Sequence, residues 1–246
     1  SLFFDFTHKM FNDKKKILYD FNFIIITPSQ WLLDRVKQSF LSSKKIIVIH
    51  NGVDTNIFKI KRNNSLIENL QIINKKIVLT AAPDILSDSK GGQYVVNIAK
   101  RKMNENIIFI ILGVKGIKDI QKKGNIIYSP LINNKVELSN YYNIADLFVI
   151  CSKKETFSMT CAESLSCGTR VVGYKSGAPE TIFNNKYASF VEYGNENLLN
   201  ELINQKININ YDRETIRKYA MDHFSLIQMT KQYDKIYGIG EQKEFG

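Results

Sequence analysis

Little in this sequence breaks, cross-links or anchors a chain. Only 4 prolines occur in 246 residues, too few for a collagen-like or proline-rich disordered protein. The cysteines, Cys151, Cys161 and Cys167, number 3. An odd count at these spacings suits neither a disulfide framework nor a zinc site and points to a reducing compartment. No apolar run approaches the ~18–20 residues of a membrane span. The stretch from Ser1 to Asp20 is interrupted by Asp5, His8 and Lys9, unlike the apolar core of a signal peptide. The expected location is the cytoplasm, with a peripheral position at the inner membrane face left open. Three chemistries also lack their residues. There is no D-x-D to chelate a metal-bound diphosphate. Leu112-Gly113-Val114-Lys115-Gly116 falls short of the G-x-G-x-x-G fingerprint of nicotinamide binding. His8, His50 and His223 stand apart from any Ser or Cys nucleophile. No metal and no cofactor is expected.

What is present is a basic, core-forming chain, with 44% hydrophobic residues and a net charge of +10. Clustered Lys and Arg would neutralise phosphates, but the basic pairs, such as Lys44-Lys45, Lys122-Lys123 and Lys153-Lys154, are scattered. They read as a solvated surface, and no nucleic-acid partner is expected.

Short β-branched runs alternate with longer amphipathic stretches, which predicts a parallel sheet with helices on both faces. Strands are expected at Phe23–Thr27, Ile46–Ile49, Lys76–Ala81, Ile107–Leu112, Asn125–Tyr128, Asp146–Cys151, Arg170–Tyr174 and Ala188–Val191. Helices are expected at Ser29–Phe40, Gly92–Met103, Val136–Ile144, Phe157–Cys167 and Glu196–Gln205, with one long helical tail from Asp212 to Tyr237. The polar stretch Asn51–Gln71 reads as a boundary between an incomplete first unit and a complete second one.

The segment from Cys151 to Gly173 is the most informative. A strand ends there, a loop carries Glu155, and a helix carries Glu163. Ligands of open parallel sheets bind beyond the carboxyl ends of the strands. Around Glu163, the neighbours one helical turn away are Met159, Thr160, Ser166 and Cys167, none of them a cation. A buried carboxylate needs a partner. Either a backbone amide, a water or a distant lysine satisfies it, or a pair of vicinal ligand hydroxyls does, such as those of a ribose. Glu155 favours the positive end of the helix on its own account. The free amides expected at Thr156, Phe157 and Ser158 make the same helix end an anion site. Eight residues at ~1.5 Å rise separate the two carboxylates by about 12 Å, the span of a nucleotide diphosphate sugar.

The E-x7-E pair Glu155/Glu163, followed by Gly168 and by Gly177-Ala178-Pro179-Glu180, resembles the C-terminal domain of retaining GT-B glycosyltransferases of the group 1 family. Three further segments match in order: Asn51-Gly52-Val53-Asp54 through Phe58, Ser87-Asp88-Ser89-Lys90-Gly91-Gly92, and Tyr141-Tyr142 through Asp146. The resemblance implies a GT-B type fold with its first domain incomplete: residues 1–58 as a remnant of the acceptor domain and interdomain segment, and 59–246 as the nucleotide-sugar-binding domain. It also implies transfer of a hexose from a nucleotide diphosphate sugar to a glycan or lipid-linked acceptor, with retention, in cell-surface polysaccharide synthesis.

By position, the resemblance implies that Glu163 holds the ribose, Glu155 contacts the donor sugar and Lys90 supports the leaving pyrophosphate. Gly91, Gly92, Thr156, Phe157, Ser158 and Met159 would line the donor, and Tyr128 and Leu131 would frame the base. Many members carry an arginine where this chain has Asp84, so either another cation serves, with Lys175 or Arg170 as candidates, or donor binding is weaker. A chain of this extent is expected to bind donor and to turn over poorly. Two other readings remain at this stage: a nucleotide-sugar epimerase of the same fold, and a non-enzymatic nucleotide- or polyanion-binding module.

Overall fold

A computed structural model describes residues 7–61, 63–103 and 105–238. Asp5, used above against a signal peptide, lies outside them. Among the described residues no helix is long and apolar enough to cross a membrane.

The first unit is small. Helix α1 (Thr7–Asp20) is followed by β1 (Ile24–Thr27), α2 (Gln30–Lys37) and β2 (Lys45–Val48). The two strands pair in parallel, Ile24 opposite Lys45 through Thr27 opposite Val48. The Ser29 side chain caps α2 by accepting from the Leu32 amide, as its type and position predict. Helix α1 was not expected, and none of its residues is buried.

Beyond α3 (Asn64–Asn69) comes a seven-stranded sheet. Its elements in chain order are β3 (Lys76–Ala81), α4 (Gly92–Arg101), β4 (Ile107–Leu112), β5 (Gln121–Lys123), β6 (Ile126–Ser129), α5 (Lys135–Ile144), β7 (Leu147–Ile150), α6 (Met159–Ser166), β8 (Val171–Tyr174), α7 (Pro179–Ile182), β9 (Ala188–Val191) and α8 (Glu196–Ile207). The strand order is β5-β6-β4-β3-β7-β8-β9, parallel except for the β5–β6 hairpin. Strands β4 and β7 are apolar along their whole length, as strands covered on both faces tend to be. Residues of β4 alternate between two cores: Ile108, Ile110 and Leu112 join the face covered by α5, α6 and α9 (Arg213–Phe224), while Ile107, Phe109 and Ile111 join the face covered by α4 and α8.

The order reverses between β3 and β7. From β3 the chain builds outward through β4 to β6, then returns to β7 and builds outward through β8 to β9. Helices on opposite faces therefore leave a crevice at this switch point. The strands pair only at Val78–Leu147 and Leu79–Phe148, so their carboxyl ends part and the crevice opens there.

The tail is two helices. Helix α9 stops at Phe224, and α10 (Leu226–Tyr237) starts anew, its cap being Ser225, which accepts from the Gln228 amide. The break is fixed by the segment that follows β2: the Val53 amide donates to Phe224 O at 2.7 Å, and the Leu226 amide donates to Val53 O at 3.0 Å. Arg217 fastens the same segment, donating to Thr55 O, Phe58 O and the α6 terminal carbonyl of Ser166 at 2.8–3.0 Å. Arg217→Ala leaves three carbonyls without this donor and is expected to cost about 2–4 kcal/mol, read as a lower urea midpoint with an unchanged slope.

Candidate functional site

At the β3/β7 switch point lies a cleft of about 210 Å³, walled by Thr80–Pro83 at the end of β3, Val149–Ser152 at the end of β7, and Lys90, Glu155, Met159 and Thr160. The Lys90 ammonium donates to the Glu155 carboxylate at 2.9 Å. Two loops that are distant in sequence thus meet across the cleft through opposite charges.

Each loop is held by backbone contacts. The Glu155 amide donates to Ser176 O, and the Ala178 amide donates back to Glu155 O, so Glu155 is tied to the turn after β8. That turn is fixed in its own right by Glu180, whose carboxylate accepts from the amides of Ser176 and Gly177. On the opposite wall, Gly91 takes φ +66° and packs on the end of β7, where a Cβ would stand 2.4 Å from Cys151 O. Only glycine fits both the left-handed backbone and that approach. Gly92 is as confined, against Ile85 O. The glycine pair therefore brings the lysine loop onto β7.

Helix α6 begins two residues later than expected. Its cap is Ser158, at φ +80°, a strained position for a non-glycine residue, with its hydroxyl accepting from the Cys161 amide. In the first turn the amides of Met159 and Thr160 lack intrahelical acceptors, and those of Thr156, Phe157 and Ser158, just before it, donate to no backbone carbonyl among the described residues. The Phe157 ring is 1% exposed and packs against His50, Phe183 and Phe224, so only its backbone is open to a ligand. Thr156 is exposed beside it.

Glu163 lies one turn beyond Met159 and Thr160 on the same helix face. Its carboxylate accepts from the Tyr142 hydroxyl at 3.1 Å. Burial pushes its pKa up to about 7, against the opposing pull of that hydroxyl and of the more distant Lys135 charge. Tyr142 and Lys135 both come from α5, and neither was singled out from the sequence as a partner of Glu163. The protein thus supplies part of a partner itself, and the carboxyl group is poised between charged and neutral.

Tyr128, within β6, and Leu131, just after it, do not line the cleft. Strand β6 is three steps from β7 at ~4.8 Å per step, so they stand further along the carboxyl edge, Tyr128 part-buried and Leu131 exposed. Of the cations considered in place of the missing arginine, Arg170 precedes β8 and lies over the Tyr211 ring, at the opposite end of the sheet. Lys175 is exposed and paired with Glu192. The structure offers another: Lys115, after β4, is ion-paired with Asp84 at 2.8 Å. The signal available for it was its place just past a strand end in Gly113-Val114-Lys115.

The model of the family described as "Glycosyl transferases group 1" matches residues 62–223. The chain belongs to this family. Among solved structures, a glycosyltransferase from Rickettsia africae superposes with a TM-score of 0.75 at 19% identity, covering 95% of this chain and 68% of that one. A sucrose-phosphate synthase from Thermosynechococcus elongatus gives 0.74 at 17%, covering 96% and 62%. HepE of Anabaena in complex with UDP and glucose gives 0.71 at 16%, covering 95% and 67%. These likenesses are of fold, the α/β GT-B type, and the chain spans about two thirds of the length of each structure. No curated protein sequence matches closely enough to stand as a relative.

Proposed function

We propose that this group 1 glycosyltransferase chain supplies the donor site of a retaining hexosyltransferase that uses a nucleoside diphosphate sugar. One observation carries the reading: the Lys90–Glu155 pair spans the switch-point cleft beside the open first turn of α6, with Glu163 one turn further on. Glu155, then Lys90 with the helix start, then Glu163 match sugar, diphosphate and ribose in order and in charge. HepE in complex with UDP-glucose and the pneumococcal O-GlcNAc transferase GtfA in complex with UDP and GlcNAc make uridine the first base to test.

In this reading the diphosphate takes Lys90 from Glu155, and the amides of Met159 and Thr160 add their partial positive charge. Glu155, released, accepts from hydroxyls of the sugar, while Glu163 accepts from the ribose. When the anomeric carbon–oxygen bond breaks, its electron pair goes to the leaving phosphate, where Lys90 stabilises the growing charge. The same phosphate oxygen takes the proton of the acceptor hydroxyl as the hydroxyl's own oxygen bonds the anomeric carbon from the same face. The acceptor is a glycan or a lipid-linked acceptor, in cell-surface polysaccharide synthesis.

Calorimetry with UDP, GDP and ADP tests the donor site. One nucleotide should bind at least tenfold more tightly than the other two, with little change between 50 and 200 mM salt. A steep salt slope without base preference would instead mark a polyanion surface. Epimerised sugar nucleotide formed in the absence of acceptor would mark the epimerase reading.

A further inference from the structure

A second cavity of about 270 Å³ lies back to back with the donor cleft. Lys90 lines the cleft, and its neighbour Gly91 lines this cavity. Lys153 lines the cavity as well, two residues before Glu155. The Lys153 amide donates to Ser89 O, so the two loops that make the donor cleft also make this wall.

The other wall is aromatic. Tyr94 of α4 and Tyr193 after β9 both face the cavity, their ring centroids 6.0 Å apart and the rings nearly perpendicular. Both lean on Tyr174, at 5.1 and 5.2 Å. Tyr174 is fully buried, and its hydroxyl finds no hydrogen-bond partner among the described residues. Three edge-on rings hold Tyr94 and Tyr193 rigid, which lowers the entropy lost on binding. Around them stand Asp88 and Gln93, both exposed. Neither Asp88 nor Lys153 is in an ion pair among the described residues.

A fixed aromatic surface ringed by a carboxylate, an amide and an ammonium is chemically matched to a pyranose, whose C–H face is apolar and whose rim is hydroxyls that both donate and accept. The opposed charges of Asp88 and Lys153 disfavour a strongly anionic occupant. The volume sits just below the usual range for small-molecule sites, enough for one ring. We propose that this cavity binds a neutral hexose unit of a glycan, seated behind the lysine loop and apart from the donor cleft. That the glycan is one the enzyme acts on rests on the transferase reading above.

The test uses the whole chain. Saturation-transfer NMR is run with the methyl glycosides of glucose, galactose, mannose and N-acetylglucosamine, and UDP binding is measured in parallel. At least one glycoside should receive saturation, and the signal should fall fivefold or more in Asp88→Ala/Gln93→Ala and in Tyr193→Ala. UDP affinity should stay within twofold in both. The double variant changes only exposed side chains, so its result does not depend on the tyrosine cluster surviving Tyr193→Ala. Silence from all four glycosides, or a signal that persists in the double variant, overturns the subsite. Failure of the wild-type chain to bind any nucleoside diphosphate overturns the donor-site reading instead, and the glycoside signals then decide separately whether the cavity takes sugar.

Discussion

Replacing Glu163 with alanine is expected to weaken uridine binding by about two orders of magnitude while the fold survives. A carboxylate that accepts from two ribose hydroxyls makes charge-assisted bonds of about 1.5–3 kcal/mol each, and each 1.4 kcal/mol is tenfold in affinity. The fold survives because the carboxylate is a burden to it. With its pKa raised from the ordinary value to about 7, the folded protein holds a proton that the unfolded chain has already lost. Stability therefore falls as pH rises from about 4.5 to 7 and stays lowered above that. Glu163→Gln removes the burden. It should stabilise the protein at pH 8 by an amount on the order of 2 kcal/mol, discounted for the group's partial exposure, and change little at pH 4. A glutamine variant less stable than wild type at pH 8 would mean that the carboxyl group is not desolvated.

The same shift gives binding a pH dependence of definite sign. Ribose hydroxyls donate to the charged carboxylate, so only the ionised fraction of the site is competent. With a free-site pKa of about 7, that fraction rises roughly tenfold between pH 6 and pH 8 by the titration relation. Uridine is the right probe, because a phosphate titrates near pH 6 and would obscure the effect. Its affinity should rise roughly tenfold across this interval in wild type and stay flat in Glu163→Gln. Wild-type affinity in Glu163→Ala would remove the ribose role altogether.

Which features were legible from the sequence follows from where their causes lie. Strands β3, β4, β7 and β8 are buried on both faces, so their own composition declares them. Strand β5 is Gln-Lys-Lys and fully exposed. Its only cause is the edge of β6 alongside, and no periodicity records that. The break at Ser225 likewise has no proline or glycine behind it; it is imposed by Val53, far back in the chain. At the site, the two glutamates could be singled out because residue type and the strand end before them constrain them, and Lys90 through the resemblance of its loop to that of the group 1 family. The start of α6 was misplaced because Phe157 looks like a helix residue and serves as a core plug, with Ser158 absorbing the turn at positive φ. The partners Tyr142 and Lys115 were missed because each meets its carboxylate only through the tertiary fold.

Lys90→Ala should separate the diphosphate from the nucleoside. In wild type the Lys90–Glu155 pair is partly exposed, 31% and 18% for the two side chains, so losing it costs the fold about 1 kcal/mol or less. The cost to UDP is larger. The diphosphate loses a charge-assisted contact and then faces Glu155 without the cation between them, so two unfavourable changes act together. UDP affinity should fall about a hundredfold, while uridine affinity stays within twofold. Equal losses for both ligands would refute a phosphate contact. The double variant Lys90→Ala/Glu155→Gln removes the repulsion as well and should recover part of the lost UDP affinity. Recovery of that sign in a double-mutant cycle requires both side chains to act at one ligand position. It distinguishes a lysine that touches the phosphate from one that merely braces the loop, because a bracing role would leave the glutamine substitution without effect on UDP. With donor and acceptor both bound, Lys90→Ala should lower kcat further than the ground-state loss alone, since the charge it meets grows as the anomeric bond opens.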